Sequence, residues 1–267
     1  MVLAATLLGL AAAQPVLARE TRLHVRTDAE VFVALDVSRS MLARHARTGP
    51  TRLARARTLA VRLRDDLPGV RVGVASITDR VLPHLFPTPD DDVFRTTLYR
   101  SIDIEQPPPR SQYSVNATSF DTLTDVATRR FFSPTAKRRV LVVLTDGEST
   151  PITAARIGRV FAAPPAIRTV FVHIWGANEH VYGPNGPEPQ YHTDPASRAI
   201  LEALAVATNG AVFREDQIDA AAEQTRKFLG SGPMKAEGVR DARNGMAPYL
   251  ALAALLPLGL LLVRHDR

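Results

Sequence analysis

At 267 residues the chain has room for one large α/β domain with short appendages, and 45% hydrophobic with 22% charged residues are the proportions of a globular core. The absence of cysteine excludes disulfides, thiolate zinc sites and cysteine nucleophiles, and leaves the redox compartment open. The net charge of +6 is carried almost wholly by arginines such as Arg39, Arg44, Arg52 and Arg62, spread without interleaved aromatics, which argues for a solvated basic surface and against nucleic acid as a partner.

Met1 to Ala18 is uncharged and rich in Leu, Ala and Val. It reads as a hydrophobic segment, either a signal peptide ending near Val16-Leu17-Ala18 or a transmembrane helix. Val31 to Leu35 is a continuous apolar run ending at Asp36, the mark of a strand buried on both faces. Leu53 to Leu67 places Leu53, Ala56, Leu59, Ala60, Leu63 and Leu67 on one helical face, and Pro68-Gly69 stops it. Val70 to Ile77 predicts a strand, and Val81 to Phe86 a short edge strand because Pro83 and Pro87 fit poorly in a sheet centre. A short helix follows over Val93 to Ile102, then a proline-rich loop over Glu105 to Asn116. Thr118 to Phe132 predicts a helix, Val140 to Leu144 a second apolar strand, Ile152 to Phe161 a helix and Thr169 to Trp175 a strand. Gly176 to Thr193 is a long Gly/Pro-rich loop of a length usually kept for function or left mobile. The helix Pro195 to Thr208, the strand Ala211 to Phe213 and the helix Ile218 to Leu229 complete the pattern. Asn244 to Val263 is again uncharged and long enough to span a bilayer, with Arg264 and Arg267 behind it. Strands alternating with helices predict a doubly wound, mostly parallel sheet flanked by helices.

In such sheets ligands bind beyond the carboxyl ends of the strands. Two strands end in aspartate, Asp36 and Asp146. Asp36 opens Asp36-Val37-Ser38-Arg39-Ser40, a D-x-S-x-S run whose alternate positions present a carboxylate and two hydroxyls to one side. Asn116-Ala117-Thr118-Ser119 offers another hydroxyl, and Thr145-Asp146-Gly147-Glu148 a second carboxylate. Hard oxygens of this kind suit Mg²⁺, Mn²⁺ or Ca²⁺ and do not suit zinc.

Together these three elements resemble the metal-ion-dependent adhesion site (MIDAS) of von Willebrand factor type A (VWA) domains. The resemblance covers residues 28–230 and implies the Rossmann-like fold of that family. It implies that the metal ligands are Asp36, Ser38, Ser40, Thr118 and Asp146, with Thr122 and Ser119 as competing hydroxyls for the third motif. Ala117 stands where the family usually has glycine before the threonine, and Arg39 where glycine is common between the serines, which puts a cation beside the metal loop. One such domain between hydrophobic ends is similar to bacterial aerotolerance-operon (Bat-type) membrane proteins. That likeness implies a transmembrane helix over 247–263 after a linker over 231–246, and an extracytoplasmic domain. It further implies a protein partner offering an acidic side chain, and work beside an AAA+ ATPase system.

Other chemistries fit less well. A phosphoryl-transfer enzyme using Asp36 and Asp146 would need a cationic phosphate clamp, and serines stand beside Asp36 instead. No G-x-S-x-G elbow or triad context supports a hydrolase. His180 and His192 in the long loop raise a zinc pair as a lesser alternative, His173 reads as a core residue, and Trp175 reads as packing. Glu148 reads equally as a support to the metal site or as a solvated acid. The expectation is a binding module and not an enzyme, with a metal-independent scaffold as the rival.

Overall fold

The computed structural model describes residues 2–106, 108 and 118–255, which form two compact units. The larger, Val25–Lys235, is built on a six-stranded sheet of order β4-β3-β2-β5-β6-β9. Its strands are β2 (Ala29–Asp36), β3 (Arg71–Ile77), β4 (Val81–Thr88), β5 (Arg138–Thr145), β6 (Ile167–His173) and β9 (Ala211–Arg214). All pairs are parallel except β3 with β4. The expected strands are all present, most of their ends extended by one or two residues, while β3 starts one residue later and β6 ends two residues earlier than expected.

Every residue of β2 is buried, because helices cover both faces. Val31, Val33 and Leu35 point to one layer, where they meet α2 (Arg52–Asp65), α3 (Asp91–Arg100) and α7 (Ile218–Leu229) through Leu53, Phe94 and Ile218. Phe32 and Ala34 point to the other layer, against Val126 of α4 (Thr124–Thr128), Phe161 of α5 (Ala154–Ala162) and Leu204 of α6 (Ser197–Ala207). Phe32 is fully buried, with Phe131 and Phe132 rings 5.5 and 5.3 Å from its centroid. Such a side chain contributes about 1.5–3 kcal/mol by leaving water. Thr51 starts α2 by accepting the Ala54 N–H at 3.1 Å. Pro83 and Pro87 confine β4 to the edge as expected, and its register slips twice against β3.

The helix expected over Thr118 to Phe132 is not formed as one element. A four-residue 3-10 turn over Phe120–Leu123 leads into the five-residue α4. The reason is local: Thr122, Thr124 and Thr128 hydroxyls donate to the carbonyls of Ser119, Asp121 and Thr124 at 2.6, 2.8 and 3.1 Å. Hydroxyls that compete for backbone partners weaken a helix interior. The proline-rich stretch before it lies mostly outside the described residues.

Arg26 fastens the two ends of this unit. Its guanidinium holds Asp28 at 2.9 Å and donates to the carbonyls of Gly230 and Leu229 at 2.7 and 3.3 Å. Thr27 N–H donates to Pro233 O at 3.1 Å beside it.

The smaller unit joins Met1–His24 to Ala236–Arg267. α1 covers Val2–Ala12 only, short of the 1–18 segment, because Gln14 turns with φ 48° and Pro15 cannot continue a helix. β1 (Val16–Arg26) pairs with β10 (Met234–Gly245), so most of the 231–246 stretch expected as a linker is a strand. A helix runs over 247–255; the remainder of the span expected over 247–263 lies outside the described residues. Among the described residues no helix is long and apolar enough to cross a membrane.

Candidate metal centre

Parallel pairing in register, Leu35 opposite Leu144, brings the ends of β2 and β5 together. Asp36 and Thr145 therefore meet, and the Thr145 hydroxyl donates to Asp36 Oδ2 at 2.6 Å. The Thr118 hydroxyl reaches both Asp36 oxygens at 2.8 Å. Thr118 is held there by the β5 loop: its N–H donates to Glu148 O at 3.3 Å and its carbonyl accepts from Thr150 N–H at 2.9 Å. The Ser38 N–H closes the first loop on Asp36 Oδ1 at 2.9 Å, and the Ser38 and Ser40 hydroxyls lie 3.0 Å apart. Asp36, Ser38, Ser40, Thr118 and Asp146 are thus all buried at the ends of two adjacent strands. Of the competing hydroxyls, Thr122 is turned onto the Ser119 carbonyl.

Gly147 makes the second loop turn. Its φ is +75°, and a Cβ there would come within 2.7 Å of the Ser197 carbonyl, so both backbone geometry and space require glycine. Gly147→Ala is expected to cost about 1–3 kcal/mol, read as a fall in the urea midpoint. An unchanged midpoint would show that the turn tolerates a side chain.

The electrostatics would suit a cation. Among the described residues Asp36 has no basic side chain as a partner. Burial, and then the Asp146 charge, push its carboxyl up to about 6. Glu148 is pushed up to about 7, again by burial first and Asp146 second. Four carboxylates are buried here, Asp36, Asp146, Glu148 and Glu179; Arg52 is shared by the last three and the rim residue Arg55 by Glu179 and Glu215, so among the described residues Asp36 is the one with no cation paired to it. A divalent cation would balance the two aspartates, and their carboxylates with three hydroxyls would be its hard-oxygen donors.

Sequence reasoning missed Arg52, which it placed on the solvated surface. Arg52 Nη1 lies 2.9 Å from Asp146 Oδ2, 2.9 Å from Glu148 Oε1 and 2.8 Å from the Tyr191 hydroxyl, and Nε donates to Glu179 Oε2 at 2.6 Å. Burial opposes its charge, but Asp146 and Glu148 outweigh that and hold it protonated. The signal was present: Arg52 heads the stripe it shares with Ala56, Ala60 and Leu63 on the buried face of α2. Glu148 is likewise buried, with the Tyr191 hydroxyl 2.9 and 3.0 Å from its two oxygens. Burial is the first cause that raises the Tyr191 phenol.

The Gly176 to Thr193 loop is ordered around these contacts. His180 exchanges backbone hydrogen bonds with Arg44, and a two-residue hairpin, β7 (Tyr182–Gly183) with β8 (Gly186–Pro187), projects beyond. Glu188 takes the Arg39 guanidinium, so the cation beside the metal loop is already paired. A cleft of about 350 Å³ opens beside Ser40, lined also by Arg39, Glu148, Glu188, Tyr191 and His192. The His180 ring meets Tyr182 edge-on, and His192 lines the cleft. Among the described residues no three or more His, Asp or Glu side chains are grouped to hold a metal, so a metal at the aspartate edge would depend on hydroxyls as well as on the two carboxylates. His173 is buried as expected, with Nε2 2.9 Å from Asp146 O and 3.1 Å from Ser197 Oγ, and its ring stacks on Trp175.

Residues 31–148 match the family model described as the von Willebrand factor type A domain. No match is found among curated proteins. Among solved structures, the chain is similar to a conserved hypothetical protein, BatB, from Bacteroides thetaiotaomicron, with TM-score 0.59 and 24% identity over 76% of this chain and 100% of that one. It is similar to an aerotolerance-related membrane protein from Bacteroides fragilis, with TM-score 0.59 and 21% identity over 74% of this chain and 99% of that one. A von Willebrand factor type A protein from Catenulispora acidiphila aligns with TM-score 0.50 and 17% identity, over 81% of this chain and 50% of that one. These identities speak for the shared fold.

Proposed function

We propose that the von Willebrand factor type A domain in this chain is a binding module that takes a protein partner through a divalent metal ion, Mg²⁺ with Mn²⁺ or Ca²⁺ as substitutes. Asp36, Ser38, Ser40, Thr118 and Asp146 are the proposed ligands. The observation that carries this reading is Asp36: a fully buried carboxylate among hydroxyls, with no cationic partner, facing a second buried aspartate. A bound ion would supply a Lewis-acidic position for an incoming oxygen ligand. The residues around it dictate which ligand that is. Two aspartates leave the ion near neutral and the Arg39–Glu188 pair cancels locally, so no net negative charge repels an acidic side chain of the partner, whose charged oxygen is a stronger donor to a hard divalent ion than a neutral one. The cleft beside Ser40 gives that partner a surface to enter.

Catalysis is not part of the proposal. The Ser197 hydroxyl and the His173 imidazole lie 3.1 Å apart beside Asp146, but both are buried and the same imidazole nitrogen also meets the Asp146 carbonyl, while the buried Arg52 is committed to carboxylates. The apolar segments at both ends support attachment to the membrane. The place in an envelope complex and the extracytoplasmic side of the domain rest on the likeness to Bat-type proteins.

A thermal melt tests the site. A ligand that binds only the folded state raises its melting temperature, by about 2.7 kcal/mol of added stability at a hundredfold excess over Kd. The full-length chain in detergent should melt several degrees higher in millimolar Mg²⁺ or Mn²⁺ than in chelator. A melt indifferent to both ions would leave the metal-independent scaffold as the better reading.

A further inference from the structure

We propose that Arg52 is a positioning residue that ties the metal-site aspartate Asp146 to the cleft wall, residues 176–193, so that ion and partner are sensed through one buried guanidinium. The inference rests on the metal reading above and deepens it. Three observations carry it. First, the same nitrogen, Nη1, serves Asp146 from the site and Tyr191 from the wall, while Nε serves Glu179 from the wall. Second, Nη1 has two hydrogens but three acceptors within 2.9 Å, Asp146, Glu148 and Tyr191. Third, Nη2 is buried and has no hydrogen-bond partner among the described residues. One side of the fork is oversubscribed and the other unused, an arrangement with a second packing close by.

Charge decides the direction. A cation at the site draws Asp146 toward itself and weakens the claim of Asp146 on Nη1. The guanidinium then gives its hydrogens to Glu148, Tyr191 and Glu179, and the wall is held more firmly. The converse holds by linkage: loosening the wall leaves Arg52 to Asp146 and lowers ion affinity. Tyr191 and Glu188, which line the cleft, belong to that wall. A partner pressing on it is thereby coupled to the ion without touching Arg52.

The test uses Mn²⁺ as the probe on the full-length chain in detergent. Mn²⁺ affinity is read by electron paramagnetic resonance, and the wall by amide hydrogen exchange across 176–193. In the wild type, saturating Mn²⁺ should slow exchange in that segment. Tyr191→Phe and Glu179→Gln, neither a proposed ligand, should bind Mn²⁺ about threefold or more weakly and lose the Mn²⁺-dependent slowing. Arg52→Lys, which keeps the charge but not the fork, should do the same where it folds. Mn²⁺ binding with unchanged affinity in both wall variants, or with no exchange response in the wild type, overturns this inference and spares the metal site. No Mn²⁺ binding by the wild type overturns both.

Discussion

Arg52→Met should unfold at a much lower urea concentration than the wild type, with a loss of about 3–5 kcal/mol. Methionine fills much of the volume, so the loss is electrostatic. Asp146, Glu148 and Glu179 would be left buried around a missing cation, since Arg52 gives each of them a contact of 2.9 Å or less. Breaking a buried ion pair from one side leaves the other charge uncompensated, and here Asp146 and Glu148 lose their cation at once while Glu179 keeps only Arg55. A domain of this size has a total stability of about 5–15 kcal/mol, so the loss is a large share of the whole. The control is Arg62→Met on the same helix, where the Asp219 pair is exposed and worth about 1 kcal/mol at most. Equal losses at the two positions would show that the buried cluster is not held by Arg52.

Asp36→Asn should do the opposite to the fold and the most damage to the site. Ion affinity should fall about 100-fold or more, equivalent to roughly 2.7 kcal/mol, because the amide brings no charge to an ion that only two carboxylates balance. In chelator the variant should melt at or above the wild type. The amide oxygen can still accept the Ser38 N–H, and the Thr118 and Thr145 hydroxyls can turn to accept from the amide nitrogen. The substitution also removes a desolvated charge that faces Asp146 with no cation beside it. Calorimetric titration with Mn²⁺ and melting in chelator measure the two effects. A variant that binds Mn²⁺ like the wild type, or melts well below it without metal, would make Asp36 a structural acid.

The strands and the two aspartates were legible because they rest on short-range rules. An apolar run such as Val31 to Leu35 is a buried strand wherever it lies, and a parallel sheet gathers the residues just past its strands at one edge. Thr118 was legible only through resemblance to a family motif, since the helix expected after it breaks up under threonine hydroxyls that bond to the nearby backbone. Arg52, Glu179 and Tyr191 were not read because their meaning is not local. Glu179 and Tyr191 stand 127 and 139 positions from Arg52 in the chain. A charged residue on a surface helix is solvated far more often than it is buried. What distinguished Arg52 was its place at the head of an apolar stripe, a clue that acquires weight only when the loop bearing the matching acids is seen to fold over it. The proline-rich Glu105 to Asn116 stretch and the end of the C-terminal span lie largely outside the described residues.

The Arg26 clasp has a mechanical consequence. The large unit begins at Val25 and ends at Lys235, and one guanidinium, that of Arg26, holds the chain near both ends. A pull on the two flanking segments is therefore carried across a few ångströms at the clasp and bypasses the six strands behind it. The flanking segments are themselves paired as β1 and β10, and behind that pairing come the contacts of Pro233 with Thr27 and of Gly230 and Leu229 with Arg26. The sheet and the aspartates at its far edge stay unloaded until the last has opened. A tether built this way lets the flanking segments move under tension while the aspartate edge keeps its shape.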